Sequence, residues 1–183
     1  NPATGEIIGH VPHAGPADLD RAMVAAARAF PDWSGMGIAG RARILLKAAS
    51  LIESRAAEIA RVETLEQGKH YKEALGEVTR SLGTIRWNVE EARRAYGRIV
   101  PSEPGIRLSV FRQPIGPVAA FVPWNFPAGG PLRKLAPGLA AGCTFVIKCS
   151  EEVPATACAL VACFAEAGVP PGVINLVFGD PPT

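Results

Sequence analysis

The chain has 183 residues, of which 48% are hydrophobic and 20% are charged, with 19 basic and 17 acidic side chains. A formal charge of +2 without long runs of one sign argues against nucleic acid or an anionic membrane as the main partner. No apolar run approaches the roughly 20 residues of a membrane span, and the opening Asn1-Pro2 carries no secretory signal. We therefore expect a globular, cytoplasmic protein with one sizeable core.

The cysteines indicate neither a disulfide framework nor a metal site. All four lie in the last quarter of the sequence, at Cys143, Cys149, Cys158 and Cys163. They form no Cys-x-x-Cys pair, and every histidine lies far away in sequence. Zinc sites need closely spaced thiolate and imidazole ligands, so we expect no bound metal.

The first half of the sequence has helical periodicity. A helix is predicted to begin at Gly15-Pro16-Ala17-Asp18 and to end near Pro31. A second apolar pattern covers residues 38–65 and stops at Gly68, and a third covers residues 71–96. Residues 1–97 are thus predicted to form an N-terminal helical part.

The periodicity changes after these helices. Apolar and polar residues alternate over residues 106–112, which predicts an antiparallel or edge strand with one solvent-exposed face. This strand differs in pattern from its neighbours on both sides. We therefore treat residues 98–114 as a separate segment.

From Gly116 onward, short apolar segments alternate with helical ones. Strands are predicted at residues 118–122, 143–148 and 173–178, and helices at residues 131–141 and 154–167. Continuous runs of Val, Ile and Phe are typical of strands buried on both faces of a parallel sheet. The predicted fold class is α/β, with a Rossmann-like βαβαβ sheet in residues 115–183 that follows the helical segment.

Two loops follow the first two predicted strands, at the sheet edge where parallel sheets bind ligands. The first is Pro123-Trp124-Asn125-Phe126-Pro127, whose prolines predict a stiff loop. The Asn125 amide could donate a hydrogen bond to a carbonyl oxygen or an oxyanion. Alternatively, its side chain satisfies nearby backbone in a turn. The loop lacks the Gly-x-Gly-x-x-Gly pattern, so we do not expect it to bind pyrophosphate.

The second loop is Lys148-Cys149-Ser150-Glu151. Glu151 stands at the sequence distance at which dinucleotide-binding folds place a carboxylate on the ribose hydroxyls, and Lys148 would add a donor. Alternatively, Ser150 caps the next helix, while Glu151 and Glu152 complement the helix dipole.

An ordered set of motifs across essentially all 183 residues resembles the aldehyde dehydrogenase superfamily. The motifs are the loop at residues 123–127, Leu139-Ala140-Ala141-Gly142-Cys143, Lys148-Cys149-Ser150-Glu151 with Pro154, Gly168-Val169-Pro170-Pro171-Gly172-Val173-Ile174-Asn175, and the opening Asn1-Pro2-Ala3-Thr4-Gly5-Glu6. Within the superfamily, the chain is similar to the NAD(P)-dependent, succinate-semialdehyde-dehydrogenase-like group. One departure is Cys149, where the family most often has proline.

The resemblance implies roles for individual residues. Asn125 matches the catalytic amide that stabilises the oxyanion of a thiohemiacetal, and Lys148 and Glu151 match the pair that holds the adenosine ribose. The implied cofactor-binding residues are Val122, Pro123, Trp124, Asn125, Lys148, Ser150 and Glu151. Lys134 matches a lysine proposed for a proton relay, and a salt-bridged or surface lysine is the alternative. Residues 98–114 match the oligomerisation arm, which implies a homodimer or homotetramer of the intact protein.

The implied reaction oxidises a small-molecule aldehyde to a carboxylic acid with NAD(P) through a cysteine thiohemiacetal. NAD is the expected cofactor and NADP the alternative, because the Glu151 carboxylate repels a 2′-phosphate. The family's nucleophilic cysteine and its glutamate base lie downstream of the matched motifs. Cys143 and Cys149 flank an apolar strand, and Cys158 and Cys163 lie on an Ala-rich helix without a histidine or basic partner that would lower their pKa, so we do not expect any of them to replace the nucleophile. We therefore expect an N-terminal portion that is inactive alone.

A second hypothesis belongs to a different class of protein: a stand-alone nucleotide-binding or assembly module without catalysis. Tight binding of NAD by this chain would favour the module. A related acyl-phosphate reductase shares the fold, but it is not expected to contain the Pro-Trp-Asn-Phe-Pro signature.

Overall fold

A computed structural model describes residues 1–179. Its helices are α1 (Pro16–Gly35), α2 (Ile38–Ser54), α3 (Ala56–Gln67), α4 (Tyr71–Arg93), α5 (Gly129–Ala141) and α6 (Pro154–Ala167). Its strands are β1 (Arg98–Val100), β2 (Leu108–Val110), β3 (Pro117–Val122), β4 (Thr144–Cys149) and β5 (Ile174–Val177). No helix within these residues combines the length and the apolar character needed to cross a membrane.

The helix α1 continues beyond Pro31, where the sequence predicted its end. Proline removes one backbone donor, but tertiary contacts hold the last turn in place. The Trp33 indole is buried and donates a hydrogen bond to the carbonyl of Leu139 (3.2 Å). The Arg41 guanidinium donates to the carbonyls of Trp33 and Ser34. The tertiary contact with Leu139 and the shorter-range contacts from Arg41 therefore outweigh the local proline signal.

The single helix predicted over residues 38–65 is in fact two helices, which meet at Arg55. This residue has φ −105° and ψ 10°, so it ends α2 and precedes the first residue of α3. The Arg55 guanidinium binds the Glu166 carboxylate (2.7 Å) on α6, and both α2 and α3 pack against α6. The predicted stop at Gly68 is confirmed, with a left-handed φ of 82°. The third helix ends at Arg93, slightly before residue 96.

The strands β3, β4 and β5 form a parallel sheet in that order. The helices α5 and α6 connect them, so the predicted βαβαβ arrangement and α/β fold class are confirmed. The main core lies between the sheet and helices α2 to α6. The helix α1 packs on the opposite face, where Ala22 and Ala26 contact Val146.

Burial of all three strands on both faces was predicted, and this is wrong for β3 and for β5, whose residues are all half-buried within the described chain. Only β4 is buried along nearly its whole length, whereas β3 alternates and its Phe121 side chain is 73% exposed. The helix α1 covers the sheet near Val146, but among residues 1–179 nothing covers Phe121. An open strip of sheet therefore remains beside Lys148, which pairs in register with Phe121.

The segment between α4 and β3 contains a short hairpin. The strand β2 pairs antiparallel with β1, which the sequence analysis missed because it is only three residues long. Every residue of both strands is exposed, so the expectation of one solvent-exposed face is wrong within the described chain. The hairpin and its flanks expose large apolar side chains, namely Ile99, Val100, Ile106, Leu108, Val110, Phe111 and Ile115.

Candidate active site

The carboxyl ends of β3 and β4 lie side by side, since Val122 pairs with Cys149 in the parallel register. The loop that contains Asn125 and the loop that contains Glu151 therefore leave the same edge of the sheet. This is the edge at which open parallel sheets bind ligands.

A cavity of about 540 Å³ lies beside the first loop, between α4 and α5. Val122, Pro123 and Asn125 line it from β3 and the loop. Arg80 and Thr84 line it from α4, and Arg133 and Lys134 from α5. The close approach of α5 to β3 needs a glycine at position 130, because a Cβ there would lie 2.5 Å from Val122 Cγ1.

The Asn125 side chain is exposed and makes no hydrogen bond within residues 1–179. The alternative in which this amide satisfies nearby backbone is therefore absent from the structure. The loop is instead held by its carbonyl oxygens. Gln67 Nε2 donates to the carbonyl of Trp124 (2.9 Å), and Lys69 Nζ donates to that of Asn125 (3.2 Å).

Lys69 belongs to a buried ionic cluster that the sequence analysis missed. Its ammonium donates to the carboxylates of Glu63 (2.8 Å) and Glu77. Glu77 Oε1 in turn accepts hydrogen bonds from the backbone N–H groups of Ala128 (2.9 Å) and Gly129 (2.8 Å). The cluster therefore links the α3–α4 connection to the start of α5.

Burial dominates the electrostatics of this cluster. It raises the pKa of Glu63 to about 7, although the hydrogen bond from Lys69 acts in the opposite direction. Burial alone would lower the pKa of Lys69, but the hydrogen bonds to Glu63 and Glu77 outweigh it and the net pKa is raised. The ammonium is thus retained at neutral pH.

The second strand tip carries a separate ion pair. The Lys148 ammonium binds the Glu151 carboxylate, and this hydrogen bond holds the pKa of Glu151 below its usual value. The Ser150 hydroxyl donates to the Glu152 carboxylate (2.6 Å), and it does not cap α6. The capping alternative for Ser150 is therefore wrong.

The cap of α6 comes from a distant residue. The Glu66 carboxylate accepts hydrogen bonds from the N–H groups of Ala155 (2.7 Å) and Thr156 (2.9 Å). Burial raises the pKa of Glu66 and outweighs these hydrogen bonds, which act to lower it, so the net pKa is raised. No local sequence pattern signals this contact, because Glu66 lies on α3.

The predicted site residues thus fall into two groups. Val122, Pro123 and Asn125 line the cavity, whereas the lining includes none of Lys148, Ser150 and Glu151, which cluster at the neighbouring strand tip. The Trp124 side chain is 55% exposed and lies outside the lining. Lys134 lines the cavity and forms no ion pair within residues 1–179, so its salt-bridged alternative is absent there.

None of Cys149, Cys158 and Cys163 has the lowered pKa of an activated nucleophile, because burial raises the pKa of Cys149 to about 12 and also raises those of Cys158 and Cys163. The expectation that Cys163 lacks a basic partner is wrong, since the Arg55 guanidinium donates a hydrogen bond to its Sγ (3.8 Å), but burial outweighs this contact and the net pKa is raised. Cys143 is buried. Residues 1–179 contain no cluster of three or more His, Cys, Asp or Glu side chains that could hold a metal ion.

Comparisons with known proteins identify the family. The whole chain, residues 1–183, matches the sequence profile described as "Aldehyde dehydrogenase family". A glutarate-semialdehyde dehydrogenase of Pseudomonas putida is 45% identical over 181 residues, which cover 98% of this chain and 38% of the relative. A succinate-semialdehyde dehydrogenase [NADP(+)] of Escherichia coli is 44% identical, with coverage of 98% and 38%. A 3-sulfolactaldehyde dehydrogenase of Pseudomonas putida is 42% identical, with coverage of 98% and 37%.

Solved structures give the same result. An aldehyde dehydrogenase from Brucella melitensis biovar abortus 2308 superposes with a TM-score of 0.97 at 45% identity, over 98% of this chain and 38% of that one. PnpE in complex with nicotinamide adenine dinucleotide superposes with a TM-score of 0.94 at 41% identity, over 96% and 36%. The chain therefore spans a little over a third of the length of these relatives. By sequence and by structure, it belongs to the aldehyde dehydrogenase family.

Proposed function

We propose that this chain is the N-terminal, cofactor-binding portion of an NAD(P)-dependent aldehyde dehydrogenase whose substrate carries a second, anionic group. The observation that carries the proposal is the unbonded Asn125 amide at a cavity lined by Arg80, Arg133 and Lys134. Family membership supports the reaction type, in which an aldehyde becomes a carboxylic acid.

Asn125 would act on the oxygen of the aldehyde. Attack by a thiolate places negative charge on that oxygen, and a fixed amide N–H stabilises the charge without having to reorganise. The amide suits this role because the backbone of its loop is held at the carbonyls of Trp124 and Asn125, which leaves the side chain unbonded. The thiolate itself would come from outside the described cysteines.

The charges around the cavity support an anionic substrate. Its only carboxylate among the described residues, Glu77, already binds Lys69 and two backbone N–H groups, whereas Arg80 and Arg133 are exposed to the cavity. Guanidinium groups bind carboxylate and sulfonate oxygens through paired hydrogen bonds. The names of the relatives fit this chemistry, because glutarate semialdehyde, succinate semialdehyde and 3-sulfolactaldehyde each carry such a group.

The cofactor would lie across the open strip of sheet. Lys148 and Glu151 are partly exposed at the carboxyl end of β4, and Lys148 pairs in register with the exposed Phe121. The Lys148 ammonium would donate to the hydroxyls of a ribose, and the Glu151 carboxylate would accept from them. When bound, the dinucleotide supplies a hydride acceptor. The Glu151 carboxylate favours NAD, because it accepts ribose hydroxyls and repels a 2′-phosphate.

We further propose that residues 1–97 and 115–183 together form the cofactor-binding part, and that residues 98–114 form an oligomerisation arm. The exposed apolar side chains of the hairpin, such as Ile99 and Phe111, support this assignment. The intact protein would then be a homodimer or homotetramer.

The substrate class is tested on the full-length protein that contains this chain. We expect NADH formation from succinate or glutarate semialdehyde with a kcat/KM at least about 10-fold above that for the neutral aldehyde of equal length. The isolated chain should form no NADH. Equal kcat/KM values for charged and neutral aldehydes would contradict the anionic-substrate proposal, and the absence of both NADH and NADPH with every aldehyde would contradict the reaction type.

A further inference from the structure

The connection between α3 and α4 contacts the loop that carries Asn125. Gly68 adopts a left-handed conformation (φ 82°), which places Gln67 and Lys69 on either side of a sharp turn. Gln67 Nε2 donates to the carbonyl of Trp124, and Lys69 Nζ to that of Asn125. Two adjacent residues of the loop are thus held by one short segment.

Lys69 also holds the loop from two other directions. Its ammonium lies 5.1 Å from the centroid of the Phe126 ring, within the range of a cation–π interaction. It binds Glu77, whose carboxylate accepts the N–H groups of Ala128 and Gly129. Lys69 therefore holds the backbone carbonyl of Asn125 directly. Through Glu77 it also holds the backbone at Ala128 and Gly129, three and four residues later.

Burial of the charged groups of this cluster costs desolvation free energy. The side chains of Lys69, Glu63 and Glu77 are 14%, 0% and 5% exposed. Buried ion pairs are seldom more stabilising than packed apolar residues, but they fix one arrangement of the groups that they bind. A single ammonium shared by two carboxylates and one carbonyl leaves the loop little freedom to shift.

We infer that Lys69 is a positioning residue, whose ammonium fixes the Asn125 backbone so that the amide stays at the place where the oxyanion forms. The inference rests on the role proposed for Asn125. Oxyanion stabilisation depends on donor placement to within about half an ångström, so a loosened loop weakens it even when the amide is still present.

The test is a double-mutant cycle in the full-length enzyme, with Lys69→Met, Asn125→Ala and their combination. We expect Lys69→Met to lower kcat about 10- to 100-fold, with KM for the aldehyde and the Kd for NAD within about 3-fold of the unsubstituted enzyme. The double variant should be no slower than Asn125→Ala alone, because Lys69 acts through that amide. Lys69→Arg should recover part of kcat.

Two further variants complete the design. Lys47→Met removes an exposed lysine on α2 and should leave kcat unchanged. Gln67→Leu removes the other carbonyl contact without unpairing the buried carboxylates, and it should lower kcat about 3- to 10-fold. This variant keeps the inference testable if Lys69→Met does not fold.

The outcomes separate the two proposals. Independent, multiplicative effects of Lys69→Met and Asn125→Ala would overturn the inference, as would a Lys69→Met or Gln67→Leu enzyme that melts at a lower temperature but keeps its full kcat. A normal kcat for Asn125→Ala would instead overturn the role proposed for Asn125.

Discussion

The Glu66 carboxylate on α3 accepts a hydrogen bond from the backbone N–H of Thr156 in the first turn of α6, at 2.9 Å. Glu77 on α4 makes the equivalent contact with the N–H of Ala128 at the start of α5. Both crossover helices of the sheet therefore begin on carboxylates supplied by the N-terminal helices. These contacts fix where the two strand-tip loops lie, since each loop ends at a capped helix.

Replacement of Glu66 tests this arrangement. Glu66→Gln keeps the size of the side chain but loses the charge and one of two acceptor oxygens, so we expect a loss of about 1–2 kcal/mol in the free energy of unfolding. The thermal midpoint of the full-length protein measures it. Glu58→Gln, on an exposed position of the same helix, is the control and should change the midpoint little. Equal midpoints for both variants would show that the cap is not stabilising.

Glu63 should make stability depend on pH. Burial raises its pKa in the folded protein to about 7, above the ordinary value of 4.5. The folded state then binds a proton that the unfolded state has lost, so this group's contribution is greatest at low pH and declines as pH rises from about 4.5 to about 7. Glu63→Gln removes the decline, and its thermal midpoint should improve relative to the unsubstituted protein between pH 5 and pH 8. Parallel midpoint curves across that interval would contradict the prediction.

Arg133 should discriminate between charged and neutral substrates. Arg133→Met removes a guanidinium from the cavity, so we expect the KM for a semialdehyde to rise about 10-fold or more, with little change for the neutral aldehyde of equal length. Steady-state kinetics with both substrates measure the difference. Arg93→Met, on the exposed end of α4, serves as control. A uniform rise in KM for both aldehydes would indicate a packing effect instead.

Glu151 should set the preference between the two dinucleotides. Glu151→Ala removes the acceptor for the ribose hydroxyls and the repulsion of a 2′-phosphate, so the ratio of kcat/KM for NADP to that for NAD should rise about 10-fold. Glu90→Ala, which removes an exposed carboxylate on α4 away from the strand tips, is the control. An unchanged ratio in the Glu151 variant would remove the basis for expecting NAD.

The sequence was sufficient to predict the parts of the fold that depend on local pattern. Alternating apolar strands and helices indicated the parallel sheet, and the rule for parallel strand ends placed Asn125 and Glu151 on neighbouring tips, as the Val122–Cys149 register shows. The resemblance to aldehyde dehydrogenases is confirmed by the comparisons.

The errors arose where a distant contact outweighs a local signal. The helix α1 continues past Pro31, where its Trp33 indole binds the carbonyl of Leu139, more than a hundred residues away in sequence. The periodicity of a single sequence indicates which face of an element is apolar, but it does not indicate which distant residue contacts it. The same reason explains why the contacts of Lys69 and Glu77 with the Asn125 loop could not be predicted, since their partners lie more than fifty residues away.

The most direct test of the account is the kcat of the full-length enzyme with Asn125 replaced by alanine. We expect a decrease of about 10²- to 10³-fold, with the Kd for NAD unchanged, because one oxyanion donor is lost. Asn125→Asp, which keeps the shape but cannot donate when ionised, should be at least as slow. A kcat within about 3-fold of the unsubstituted enzyme for both variants would contradict the assignment of this loop as part of the active site.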